Sequence, residues 1–173
     1  PTGRAYYNLY DVLVNAFEPG DARFANWTKS YVTGGVTYYF PYKYKIRTAA
    51  PVQEYTMVIR FAELFLIRAE ARAQQNKLGD ARDDLDAIRE RATLADLPTG
   101  LSKDQLLAAT AQERRVELFG EWGHRWFDLI RTGKAIQVLS SIKSSISQND
   151  LLYPIPLPAM RTNPNLVQNP GYN

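Results

Sequence analysis

The chain contains no cysteine. Disulfides, thiol nucleophiles, zinc fingers and iron–sulfur ligation are therefore excluded. The redox compartment stays open, because a cysteine-free chain suits either side of a membrane. Histidine is nearly absent too, with His124 as the single instance. That removes metal sites built on two imidazoles and rules out a helical metalloprotease motif, so no metal and no cofactor is expected. Apolar runs stop at four residues, as in Leu64-Phe65-Leu66-Ile67, whereas a bilayer-spanning helix needs about 20. Neither sign of charge dominates: 21 basic and 18 acidic side chains leave +3. Residues 57–133 hold 12 of the former and 13 of the latter, so no basic stripe marks a nucleic-acid partner. The chain opens on Pro1 without a signal peptide, which leads us to expect a mature or truncated piece.

What is present is ordinary globular material. A length of 173 residues with 45% hydrophobic side chains predicts one domain with a real core. Composition divides it into three zones. Residues 1–56 are rich in tyrosine and punctuated by Pro19-Gly20, Gly34-Gly35, Pro41 and Pro51. They read as loops and short strands, with Val36-Thr37-Tyr38-Tyr39-Phe40 the best strand. Residues 57–133 read as helical. A first helix is expected from about Met57 to Gln75, with Ala62, Leu66, Ala69 and Ala73 on one stripe and its middle apolar nearly all round, which predicts burial on more than one side. Gly79 fits a left-handed cap and Asp80 the start of a second helix, on which Ala81, Leu85, Ile88 and Ala92 recur at core spacing. Two such helices with a short connection make an antiparallel hairpin. Ser102 with Gln105 forms a capping-box pattern for a third helix ending near Phe119, and Arg125–Arg131 suits a fourth. The fold class is thus mainly α, with tetratricopeptide-like antiparallel helix pairs. Residues 134–173 return to loop chemistry: an extended Pro-rich tail, in which Tyr153-Pro154-Ile155-Pro156-Leu157-Pro158 is expected to be extended throughout.

Three constellations could carry chemistry. Glu113, Glu117 and Glu121 are four apart and share a helical face, with Arg114, Arg125 and Asp128 near them in sequence. One reading is a catalytic carboxylate pair, as in a glycosidase. The favoured reading is a structural ion-pair network, since Trp122, Trp126, Phe127 and Leu129 interleave with the charges and buried charges persist only when paired. His124 reads as a hydrogen-bonded structural side chain rather than a general base or ligand. Trp27, Tyr31, Tyr38 and Tyr39 offer flat apolar faces with polar edges, suited to stacking on sugar rings or to a protein interface, and equally to the core of a loop-rich region.

Three ordered blocks then resemble the SusD/RagB family of outer-membrane nutrient-binding lipoproteins. The first is Arg60-Phe61-Ala62-Glu63-Leu64-Phe65-Leu66-Ile67-Arg68-Ala69-Glu70-Ala71 followed by Asp86-Ala87-Ile88-Arg89-Glu90-Arg91-Ala92. The second is Glu113-Arg114-Arg115-Val116-Glu117-Leu118 with Gly123-His124-Arg125-Trp126-Phe127-Asp128-Leu129 and Arg131. The third is Tyr153-Pro154-Ile155-Pro156 with Asn163-Pro164-Asn165-Leu166 and Gln168-Asn169-Pro170-Gly171-Tyr172. Gly20-Asp21-Ala22-Arg23 and Tyr42-Lys43-Tyr44 are weaker features. The resemblance implies the C-terminal portion of a cell-surface binding protein, not an enzyme. Such a protein hands glycans, or in some members peptides, to a SusC-like TonB-dependent outer-membrane barrel, and its lipid anchor would lie outside this chain. A helical-repeat interaction scaffold without a small ligand is the alternative. The family's motifs mark the scaffold, so the ligand-binding candidates Trp27, Tyr31, Tyr38 and Tyr39 rest on aromatic chemistry alone.

Overall fold

The computed structural model describes residues 7–46 and 49–172. The loop zone expected over 1–56 therefore lies partly, at 1–6 and 47–48, outside the described residues. Two compact units divide at His124 and Arg125. The first contains the short helices α1 (Asp11–Val14) and α2 (Ala22–Trp27), the strands β1 (Thr28–Thr33) and β2 (Val36–Pro41), and the longer helices α3 (Phe61–Gln74), α4 (Leu78–Arg91) and α5 (Lys103–Glu117).

The core of this unit is a three-helix layer. Leu66, Ala69 and Ala73 of α3 meet Ala81, Leu85 and Ile88 of α4, with Leu106 of α5 and Leu118 closing the cluster. Alanines at 69, 73 and 81 are fully buried, and their small side chains let the α3 and α4 backbones approach closely. Buried Asp84 pins the pair, accepting from Arg68 at 2.6 Å and Arg72 at 2.7 Å. Ser102 caps α5 in a complete capping box with Gln105, as its sequence predicts.

Four details differ from expectation. Helix α3 begins at Phe61 rather than near Met57, because Arg60 is extended and its guanidinium is drawn to Glu117 and Glu121. Its apolar residues are buried on one side only: Phe61, Leu64 and Ile67 are exposed, so its all-round apolar character does not reflect burial within this chain. The left-handed residue of the α3–α4 turn is Asn76, at φ +60°, a residue type that tolerates this region. Gly79 lies inside the first turn of α4, which starts at Leu78 with Lys77 as its N-cap, because Leu78 packs against the core cluster.

Strands β1 and β2 pair antiparallel from Thr28↔Pro41 to Thr33↔Val36. Gly34 and Gly35 form the two-residue turn with φ +57° and +76°. A type I′ turn needs positive φ at both positions, and its twist matches that of the flanking strands.

The second unit holds α6 (His124–Arg131, whose first residue belongs to the first unit), α7 (Ala135–Leu139), a 3₁₀ turn at Gln148–Leu151 and α8 (Leu157–Thr162). The tail is irregular from Tyr153 to Pro156, but Leu157 and Pro158 already belong to α8, contrary to the extended run expected there. Proline is tolerated in a first helical turn because its missing N–H has no intrahelical partner there.

Candidate functional site

The register sorts the hairpin's side chains onto two faces. Lys29, Tyr31 and Thr33 share one face with Val36, Tyr38 and Phe40; Thr28, Ser30 and Val32 share the other with Thr37, Tyr39 and Pro41. On the first face Tyr31 and Tyr38 sit directly opposite and stack, with ring centroids 5.5 Å apart and planes 21° apart. Phe40 lies 6.2 Å from Tyr31. Tyr31 is exposed and Tyr38 half-buried. The Tyr31 hydroxyl donates to Asn8 Oδ1 at 3.2 Å. Lys29 places its ammonium 4.0 Å over the Tyr42 ring. This is a small aromatic platform edged by a cation and an amide.

The opposite face fastens the hairpin to the helices. Tyr39 packs on Phe24 at 5.1 Å, Phe24 on Phe17 at 5.3 Å, and Phe17 edge-on to Phe119 at 5.7 Å. The four sequence candidates therefore split. Tyr31 and Tyr38 form the accessible platform, while Tyr39 faces the aromatic ladder. Trp27 is half-buried, with Lys43 Nζ 4.6 Å, Arg60 5.5 Å and Arg91 5.6 Å from its ring centre. It covers a charged cluster instead of joining the platform.

That cluster contains the three glutamates. Glu117 is fully buried and Glu113 nearly so. Glu117 accepts from Arg60 at 2.6 Å, Arg91 at 2.5 Å and Arg23 at 3.3 Å. Glu113 accepts from Arg23 and Arg89, each at 2.8 Å. Glu121 accepts from Arg60 at 2.9 Å and from Lys43, which also donates to the Glu117 carbonyl at 2.7 Å. Asp21 completes the chelation of Arg23 at 2.8 Å and Glu18 that of Arg89 at 2.6 Å. Five carboxylates (Glu18, Asp21, Glu113, Glu117, Glu121) thus face five cations (Arg23, Lys43, Arg60, Arg89, Arg91), and the formal charges cancel.

The partners supplied to the glutamates come from α2, α4 and the loops around residues 43 and 60. The sequence pointed to Arg114 and Arg125. Arg114 is buried on α5, with interactions of its own. Arg125 and Asp128 belong to the second unit, where Asp128 pairs with Arg131 at 2.8 Å. His124 Nδ1 lies 3.6 Å from a Glu63 carboxylate oxygen.

Electrostatics fit a structural role for the cluster. Burial alone would raise the Glu117 pKa, but hydrogen bonds from Arg60 and Arg91, with their charges, outweigh it and hold the carboxyl below the usual range. Burial pushes the Lys43 ammonium down to about 8 against the opposing pull of Glu121. A glycosidase acid needs a carboxyl that keeps its proton near neutral pH. Glu117 is shifted the other way, and no glutamate of the three lines an open cleft without a cation beside it. Among the described residues, no group of three His, Asp or Glu side chains is placed to hold a metal ion.

Asp21, Arg23, Arg60, Arg89 and Arg91 were not singled out as site residues from sequence. Their signal was present, since the Gly20–Arg23, Arg60–Ala71 and Asp86–Ala92 blocks all contribute to the cluster.

Comparison with known proteins places this arrangement. The model of the SusD family matches residues 5–144. The SusD-like protein P38 of Formosa agariphila is 30% identical over 138 residues, covering 75% of this chain and 27% of that protein. The starch-binding protein SusD of Bacteroides thetaiotaomicron is 32% identical over 123 residues, covering 66% of this chain and 21% of its own length. The chain therefore spans about a quarter of the curated relatives it matches. Among solved structures, a SusD-like carbohydrate-binding protein from Bacteroides vulgatus superposes with a TM-score of 0.62 at 28% identity, over 73% of this chain and 27% of that one. A SusD superfamily protein from the same species reaches 0.74 at 22% identity over 95% of this chain and 44% of its own, a likeness of fold.

Proposed function

The chain belongs to the SusD family, and from that premise we propose that it is part of a non-catalytic glycan-capturing protein at the outer-membrane surface, delivering oligosaccharide to a SusC-like TonB-dependent barrel. The observation that carries the reading is the Tyr31–Tyr38 stack, held outward on a hairpin whose other face is anchored by Tyr39, Phe24, Phe17 and Phe119. Tyrosine rings offer flat apolar faces to the C–H surface of a pyranose and polar edges to its hydroxyls. A platform of two rings on an open hairpin face makes few such contacts, so capture is individually weak and release to a transporter easy. Tyr39 anchors the hairpin from its other face, and Trp27 covers the charged cluster. The names of two relatives, a starch-binding protein and a carbohydrate-binding protein, agree with this ligand class. Among the described residues no helix is long and apolar enough to cross a membrane; a lipid anchor outside this chain belongs to the proposal.

The test is affinity electrophoresis of the chain through gels containing amylopectin or other polysaccharides, with a casein-peptide pool as competitor. Retardation in at least one polysaccharide is expected, together with its loss in the Tyr31→Ala/Tyr38→Ala double variant. Unretarded migration in every polysaccharide, or displacement by peptides instead of oligosaccharide, refutes glycan capture.

A further inference from the structure

The Tyr153–Pro156 and Gln168–Tyr172 motifs of the tail have no part in the hairpin platform, yet the second unit builds something with them. Asn169 Nδ2 donates to the Tyr153 carbonyl at 2.7 Å. Gln168 clasps Ile155 through both its backbone groups, at 2.7 and 2.9 Å. These bonds hold the two tail segments side by side and carry Tyr153 and Tyr172 into one wall. Gly171 is required at the join: at φ +90°, a Cβ there would lie 2.9 Å from the Asn149 side chain. The 3₁₀ turn beneath is itself fixed, because Asp150 Oδ2 accepts from both the amide and the hydroxyl of Ser147 at 2.7 Å.

The result is a cavity of about 330 Å³, lined by Trp126, Tyr153 and Tyr172, by Lys143 and Asp150, and by aliphatic side chains such as Ile142. Its size falls at the lower end of the ~300–1,000 Å³ typical of small-ligand sites, enough for one or two sugar rings. Trp126 and Tyr153 lie 6.2 Å apart with planes 56° apart, two walls of a cleft. Among the described residues, the Trp126 indole N–H, the Tyr153 and Tyr172 hydroxyls and Asp150 Oδ1 have no hydrogen-bond partner. Aromatic faces with unspent polar edges suit a ligand that is apolar on its ring faces and polar around its rim. The opposite charges of Lys143 and Asp150 disfavour a simple cation or anion, whereas both groups can bond to hydroxyls.

We propose that the Trp126–Tyr153–Tyr172 cavity is a second carbohydrate subsite, taking a neutral pyranose unit independently of the hairpin platform. This rests on the glycan-capture reading and deepens it. The aromatic rings stack on the sugar, the Asp150 carboxylate accepts from one hydroxyl and the Lys143 ammonium donates to another.

The test uses the ¹⁵N-labelled full chain, whose three tryptophans give three indole N–H resonances, titrated with maltotriose, cellotriose and xylotriose. Trp126→Phe assigns its resonance. With at least one trisaccharide the Trp126 signal shifts saturably. Tyr153→Ala and Lys143→Ala, both at exposed positions, each weaken that titration about fivefold while leaving the Trp27 and Trp122 signals in place. A stationary Trp126 signal while Tyr31→Ala/Tyr38→Ala abolishes measurable binding overturns the subsite and leaves the platform standing. A Trp126 shift produced only by a phenylalanyl dipeptide overturns the ligand class. No binding of any trisaccharide defeats the subsite together with the glycan reading beneath it.

Discussion

Removing the Glu117 carboxylate should cost more than any single surface change in this chain. Its side chain is fully buried, and three guanidiniums converge on it. In Glu117→Ala, Arg23 and Arg60 lose a counter-ion in a region that water reaches poorly. Truncating one partner of a buried ion pair typically costs about 3–5 kcal/mol, mostly through the charge left uncompensated. At about 2–4 °C per kcal/mol for a chain of this size, that corresponds to a drop in melting temperature of roughly 6–20 °C. Arg91→Ala is the internal control. Arg91→Ala removes a guanidinium that is about half exposed, at 46%, and leaves Glu117 its bonds to Arg60 and Arg23, so no buried charge is stranded and the loss should stay near the ~1 kcal/mol of a solvated pair. Urea unfolding followed by circular dichroism at 222 nm measures both. A Glu117→Ala loss below about 1 kcal/mol, or one equal to that of Arg91→Ala, would refute the cluster as the clamp joining hairpin, loop and helices.

Lys43 gives a pH signature. Its pKa in the folded chain, about 8, lies below the ordinary 10.5. The unfolded chain therefore binds more protons between those values, and stability should rise with pH from 8 towards 10.5, by roughly 1–3 kcal/mol. Chemical denaturation across that range should show the rise in the native chain and a flatter profile in Lys43→Met. At the acid end the slope has the same sign: Glu117 is held below its ordinary 4.5, so its contribution is complete above that pH and drains away as pH falls through the depressed value. In Glu117→Gln this limb should be reduced. Asp84→Ala should cost about 1–3 kcal/mol by leaving the α3–α4 pin unmade. Arg68→Ala, whose guanidinium is half in water, should cost less than half as much by the same urea assay. Gly35→Val at φ +76° should destabilise by about 1–2 kcal/mol, with Asn at position 34 tolerated. Equal melting temperatures for the position-35 and position-34 variants would contradict the turn assignment.

The helices were the legible part of the fold, and for a physical reason. Leu66, Ala69, Ala73, Ala81, Leu85 and Ile88 recur at a period that only an α-helix satisfies, and all six are buried. The capping box at Ser102 needs only four consecutive residues to be read. Strand β1 was harder. Thr28-Lys29-Ser30-Tyr31-Val32-Thr33 has one buried residue, so its period-2 signal is faint, and only its pairing with β2 defines it. The exposure of Phe61, Leu64 and Ile67 was invisible for a different reason, since an apolar stripe states an affinity for cover without saying whether the same chain supplies it.

Charge clusters expose the same limit more sharply. The spacing of Glu113, Glu117 and Glu121 states that three carboxylates share a direction, and burial among aromatics states that they must be neutralised. Neither names the cation, because Arg23 and Arg60 arrive from 90 and 57 residues away. Once those partners are in place the cluster becomes a device for positioning. Arg23 ties α2 to α5, Arg60 ties the loop before α3 to α5, and Lys43 ties the segment after β2 to Glu121. The hairpin grows directly out of α2 and leads directly into that segment. Its platform is thus braced at both roots by charge and from behind by the Tyr39–Phe24–Phe17–Phe119 ladder. A weak-contact surface gains from such bracing, because side chains already held in place lose less entropy on meeting a ligand. The most strongly charged residues of the chain would then serve the function without touching what it binds.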